Sequence, residues 1–212
     1  MHAFRRTRSG YVTRLDPTER AIVASVVGDV AELLGYGVAD VQAPTDGDAP
    51  TQPDGGATGG ATGDDGFPQL HWSEPDEADA LVPDDPALAR LLPPGSEDDD
   101  VAAEHRRLTE DSVRRSKGER LRRVWWDLSR GEDEIRVPDD RAMVWAGALT
   151  DVRLVLAQRL GVEDAEAAER LQEVAASGDD EVSRALASLY LALSWLQESL
   201  LEAMLSELPD TA

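Results

Sequence analysis

The sequence predicts a mainly α, compact helical domain with a small N-terminal β-hairpin and a disordered acidic insertion. Three observations lead there. Apolar residues recur at helical spacing through four long stretches, one short strand-turn-strand pattern stands at the N-terminus, and a Gly/Pro/Asp-rich stretch interrupts the two. The expected division is one helical domain from residues 1–36 plus 85–212, with residues 37–84 as a flexible acidic insertion.

The hairpin is read from Phe4-Arg5-Arg6-Thr7 and Tyr11-Val12-Thr13-Arg14-Leu15 around Ser9-Gly10, where glycine supplies the positive φ of a tight turn. Asp16-Pro17-Thr18-Glu19 then has the pattern of a capping box with proline in the first turn. The helix it opens carries Ile22, Val23, Val26, Val27, Val30, Leu33 and Leu34 before Gly35-Tyr36-Gly37 stops it. Within the insertion, Phe67, Leu70 and Trp72 make a small apolar island expected to rest on the domain's own surface, with a docking motif as the alternative.

The pattern resumes with a short helix from Asp85 to Leu92, ended by Pro93-Pro94-Gly95. Asp98-Asp99-Asp100 suit the N-terminus of the next helix, whose dipole favours acids. Thr109 either starts a fresh helix or lies within a single one reaching Trp125, Trp126 and Leu128. Glu134–Pro138 reads as a brief extended piece at an edge, after which Asp139 and Asp140 are expected to cap a central helix, 139–160. That helix is apolar nearly all round, which places it in the middle of the fold. Two more follow, about 164–176 and 180–208. The last falls short of the ~20 apolar residues of a membrane span. Arg5-Arg6 has no apolar stretch behind it, so no signal peptide is expected. A soluble, cytoplasmic chain follows from these signs. Five to seven helices are expected, as a monomer or homodimer.

The charge is uneven. Formal net charge is −22, with −15 in residues 37–100 and −10 in 161–212, while residues 1–36 and 101–160 together total +3. Lys117 is the only lysine and 25 of the 43 acids are aspartate, a bias that a GC-rich genome or a high-salt cytoplasm would produce. Such acidity opposes indiscriminate binding to nucleic acid or anionic membrane. Zero cysteine excludes disulfides, thiolate metal sites and cysteine catalysis.

No phosphate loop, dinucleotide fingerprint, nucleophile elbow or zinc-protease motif occurs, and His2, His71 and His105 lack ligand spacing, so no enzyme, metal or cofactor is expected. Two features stand out. Asp151 and Arg153 interrupt the apolar central helix as a buried polar pair, and residues two apart point to different sides. Each is expected to bond a neighbouring helix, with a ligand pocket around both as the alternative. The second feature is a set of arginines whose forks suit carboxylates and phosphates: Arg5, Arg6 and Arg8 on the hairpin, and Arg106, Arg107, Arg114 and Arg115 on the long helix. Interleaved acids (Glu104, Glu110, Asp111, Glu119) mark a salt-bridged helix surface and argue against DNA. The expectation is internal pairing of these arginines with the acidic C-terminal block, with contact to an acidic protein surface as the functional alternative.

Four segments read together carry a resemblance. Phe4–Gly10, Asp85–Pro93, Ala103–Glu110 and Leu149–Gly161 are similar to the actinobacterial family, formerly a domain of unknown function, named for the AosR oxidative-stress regulator. The resemblance implies a small helical cytoplasmic regulator in stress-response transcription, with no catalytic activity, that works through a sigma factor or RNA polymerase component; direct DNA binding or a small-ligand domain are the alternatives. The chain departs from a thiol sensor, since it has no cysteine. Of its methionines, Met143 and Met204 are expected to be buried.

Overall fold

The computed structural model describes residues 1–37, 83–130, 134–162, 164–178 and 180–206. The acidic insertion, with Phe67, Leu70 and Trp72, lies between them at 38–82, outside the described residues. Among the described residues the chain is mainly helical: α1 (Pro17–Leu33), α2 (Pro86–Leu91), α3 (Asp99–Ser129), α4 (Ala142–Arg159), α5 (Ala165–Ser177) and α6 (Glu181–Leu205). One small antiparallel sheet accompanies them, in the order β1 (Arg5–Thr7), β2 (Gly10–Arg14), β3 (Glu134–Val137).

The hairpin register pairs Arg5 with Val12 and Thr7 with Gly10, which leaves Arg8-Ser9 as a two-residue turn. Gly10 has φ +122°, and a Cβ there would fall 2.2 Å from the carbonyl oxygen of Val137. Only glycine lets β2 turn and accept β3 at that point. The extended piece 134–137 is therefore a third strand on β2, with Tyr11 opposite Val137 and Arg14 opposite Glu134. The central strand accordingly buries Tyr11, Val12 and Thr13 in succession.

Helix starts follow local chemistry. Asp16 accepts hydrogen bonds from the Thr18 and Glu19 amides while the Glu19 carboxylate returns to the Asp16 amide, a complete capping box. Asp85, Asp98, Asp164 and Asp180 cap α2, α3, α5 and α6 more simply, each side chain accepting from backbone amides of the first turn. The central helix is the exception. Residues Asp139–Arg141 form a 3-10 turn, no side chain caps α4, and Asp139 instead pairs with Arg6. The expected Asp139/Asp140 cap is thus corrected: strand β3 ends at Val137 and Pro138, too close for a relaxed α-helical entry.

α3 is one helix of 31 residues, about 46 Å long. α1 packs along it, and Tyr36 just past α1 seats on Gly118, where a Cβ would stand 2.3 Å from the ring. α4 is central, in contact with α1, α2, α3 and α6. Trp145 is wholly buried there and meets Phe4 edge-on, with centroids 5.9 Å apart at 74°. The main core joins these to Leu121, Val124 and Leu128 of α3 and Leu193, Leu196 and Leu200 of α6. A satellite cluster of Ala157, Val162, Leu171 and Ala187 lies under α5. Met143 departs from expectation: it is 66% exposed, because α4 turns one narrow side to solvent at its start.

Candidate functional site

The polar groups of α4 are arranged on two sides. Asp151 is 1% exposed and accepts from Lys117 Nζ at 2.5 Å and from Arg120 Nη2 at 2.7 Å, both on α3. The chain's only lysine is thus held inside the fold. Positions 117 and 120 lie one turn apart and converge on one carboxylate. Gly147, one turn before Asp151, makes room for this: a Cβ there would meet Arg120 Nη1 at 2.5 Å. Nearby, Asp127 accepts from the Trp145 indole at 3.0 Å and faces Arg141 at 3.6 Å. Burial pushes its carboxyl above the ordinary aspartate range, and the Trp145 hydrogen bond and the Arg141 charge oppose that only in part.

Arg153 leaves α4 toward α6. Its Nη1 donates to Gln197 Oε1 at 2.6 Å and Nη2 to the Tyr190 hydroxyl at 3.4 Å, with the guanidinium 5.3 Å from the Tyr190 ring centre. Gln197 is fixed for this task, since its Nε2 donates to the Ala146 carbonyl at 2.9 Å and to Thr150 Oγ1 at 2.7 Å. No carboxylate pairs with Arg153 among the described residues, and its buried Nε–H has no acceptor there. Beside it, a cleft of about 370 Å³ opens between α4, α6 and the α4–α5 connection, with Arg90 of α2 on its wall. The cleft borders Arg153 and not Asp151. Thr150, Tyr190 and Gln197 were not anticipated here. Their one trace in the sequence is a glutamine on the leucine stripe Leu193, Leu196, Leu200 of α6.

The arginines singled out in the sequence do not form one face. On the hairpin, Arg6 pairs with Asp139 and lies over the Tyr11 ring, while Arg5 and Arg8 are exposed with no carboxylate partner among the described residues. On α3, Arg107 is bound by Glu104 at 2.7 and 2.9 Å, and Arg114 by Glu110 at 2.6 and 2.8 Å. Arg115 is exposed and lacks such a partner among the described residues. Arg106 is corrected as a docking candidate. It is 7% exposed, lying under the end of α2 with Nη1 3.4 Å from the Leu92 carbonyl and 3.6 Å from Glu110. Of the interleaved acids, Glu104 and Glu110 pair with these arginines, and the expected pairing with the acidic C-terminal block is not found for Arg106, Arg114 or Arg115 among the described residues.

Among the described residues no group of three or more His, Asp or Glu side chains could hold a metal ion, and no helix is long and apolar enough to cross a membrane. Residues 1–204 match the family model DUF2017, a domain of unknown function, and the chain belongs to that family. No curated protein and no solved structure matches it.

Proposed function

We propose that this DUF2017 member is a non-enzymatic, cytoplasmic regulator of stress-response transcription that works by binding a protein, a sigma factor or another RNA polymerase component. The transcriptional and oxidative-stress setting, and an actinobacterial origin, rest on the likeness of the Phe4–Gly10, Asp85–Pro93, Ala103–Glu110 and Leu149–Gly161 segments to the AosR family. The observation that carries a protein partner over DNA is the division of the arginines. Arg107 and Arg114 are taken up by carboxylates of their own helix and Arg106 is buried, so a phosphate-tracking stripe on α3 is interrupted. Arg5 and Arg8 by the hairpin turn and Arg115 on α3 remain to meet an acidic protein surface. A charge of −22 opposes a polyanion at longer range.

The test is affinity capture from the source cells at their own salt. Wild type should retain a polymerase-associated protein, and the triple variant Arg5→Ala, Arg8→Ala, Arg115→Ala should lose it while its thermal unfolding is unchanged. Capture of no such protein, or direct binding to promoter DNA whose log K falls steeply with log salt, would overturn the reading.

A further inference from the structure

We propose that the cleft beside Arg153 binds a small organic carboxylate with an apolar body, for which Arg153 is the counter-charge, Tyr190 a second donor and Arg90 the outer cation. The inference stands apart from the regulatory reading and does not depend on it.

The argument begins with an uncompensated charge. Arg153 is half-buried in the side of the central helix, and a guanidinium partly withdrawn from water carries a cost that an anion would offset. Arg153 has an amide oxygen, a phenol oxygen and an aromatic face, all neutral. Its Nε–H is buried with no acceptor among the described residues, although the same guanidinium is held firmly through Nη1 at 2.6 Å. The Thr150–Gln197 bond and the Gln197–Ala146 bond lock that arrangement from behind. A cation so placed is oriented before anything binds it, which lowers the ordering cost of a ligand.

The rest of the cleft narrows the ligand's chemistry. Tyr190 accepts from Arg153 through its oxygen, which leaves its O–H proton to donate elsewhere. Arg90 makes one long contact, 3.5 Å to the Val162 carbonyl, and has no carboxylate partner among the described residues. Asp164, the acid on the wall, caps α5 through Oδ1. Leu154, Ala157 and Val162 supply an apolar lining, and a volume of about 370 Å³ lies within the range of small-molecule sites. A planar monoanion matches a guanidinium fork and a phenol, while its hydrocarbon part covers the apolar wall. Inorganic phosphate would leave that wall wet and bring a second negative charge toward Asp164.

The experiment uses the full chain, titrated with hexanoate or benzoate, with hexanol as the neutral isostere and with inorganic phosphate. Two signals are followed: the arginine Nε–H resonances in proton–nitrogen spectra, where the Arg153 signal is identified by its loss in Arg153→Gln, and the thermal midpoint. A carboxylate should move the Arg153 Nε–H resonance and raise the midpoint, and hexanol should do neither. Affinity should fall at least about tenfold in Arg153→Gln. It should fall several-fold in Arg90→Gln, an exposed substitution that leaves the core untouched if Arg153→Gln fails to fold. Equal binding of hexanol, binding of phosphate alone, an Arg90→Gln affinity equal to wild type, or no response to either carboxylate at about ten times a millimolar Kd would overturn the proposal.

Discussion

Asp151 is met by two cations from α3 at 2.5 and 2.7 Å, whereas Arg153, two residues along the same helix, is met by an amide, a phenol and a ring. The first group is closed: its charge is answered within the fold and its carboxylate is 1% exposed. The second is anchored but unanswered, and it borders a cleft. Side chains of opposite sign on one helix thus do different work. The α3 side fixes how two long helices pack, and the α6 side holds a charge ready for something from outside.

The largest test of that contrast is Asp151→Ala. It strands Lys117 and Arg120 at a helix interface, and the cost should be about 3–5 kcal/mol, read as a lower denaturant midpoint. Replacing all three at once, as Asp151→Leu with Lys117→Met and Arg120→Met, should recover most of that loss, because no charge is then left unmatched. A triple variant as unstable as the single one would show that α3 and α4 need the ions themselves.

Arg153→Met should do far less. Removing a cation that has no anion relieves desolvation while it gives up the Gln197 and Tyr190 bonds, so stability should move by less than about 1.5 kcal/mol. A loss as large as that of Asp151→Ala would erase the distinction between the two sides.

The smallest effect is a pH dependence that separates buried from surface carboxylates. Glu134 is held below the ordinary range by hydrogen bonds from Arg14 and then Arg136, and Asp85 by the Ala87 amide and then Arg159. Their stabilisation is present above the ordinary carboxylate pKa and is lost as pH falls through their lowered values. Asp127 has the opposite sign. Its raised pKa means that the folded state holds the proton more tightly, so its ionisation destabilises the fold as pH rises from about 4 through that raised value. Asp127→Asn keeps an acceptor for Trp145 and removes the penalty. Its thermal midpoint relative to wild type should therefore climb between about pH 4 and pH 7; a constant difference would refute the assignment.

What was legible in the sequence was local. The Asp16–Glu19 box, the α5 and α6 starts and the Gly10 turn each depend on residues within a few positions, and each sits where expected within a residue or two. The anticipated strand ends hid a third strand, because Tyr11 and Val137 are 126 positions apart and no short pattern announces their pairing. Likewise an arginine such as Arg106 looks the same in sequence as Arg107, one residue on. Only the approach of α2 buries the first and leaves the second with Glu104. The charge of Asp151 was visible, but Lys117 and Arg120 are 34 and 31 residues away, and Gly147 and Gly118 show their purpose only once their neighbours are in place.

The sheet has a consequence for the order in which this chain can acquire structure. Its first strands need β3 at 134–137, while the Phe4 amide donates to Ser199 Oγ on α6 at 3.0 Å and the Phe4 ring waits for Trp145. A two-stranded hairpin alone is at best marginally stable in water. At ribosomal speeds, on the order of ten seconds or more separate the emergence of residue 4 from that of residue 199. The strands made first therefore lack a third strand until residues 134–137 have been made, and the tie between Phe4 and α6 can close only after residue 199 has followed.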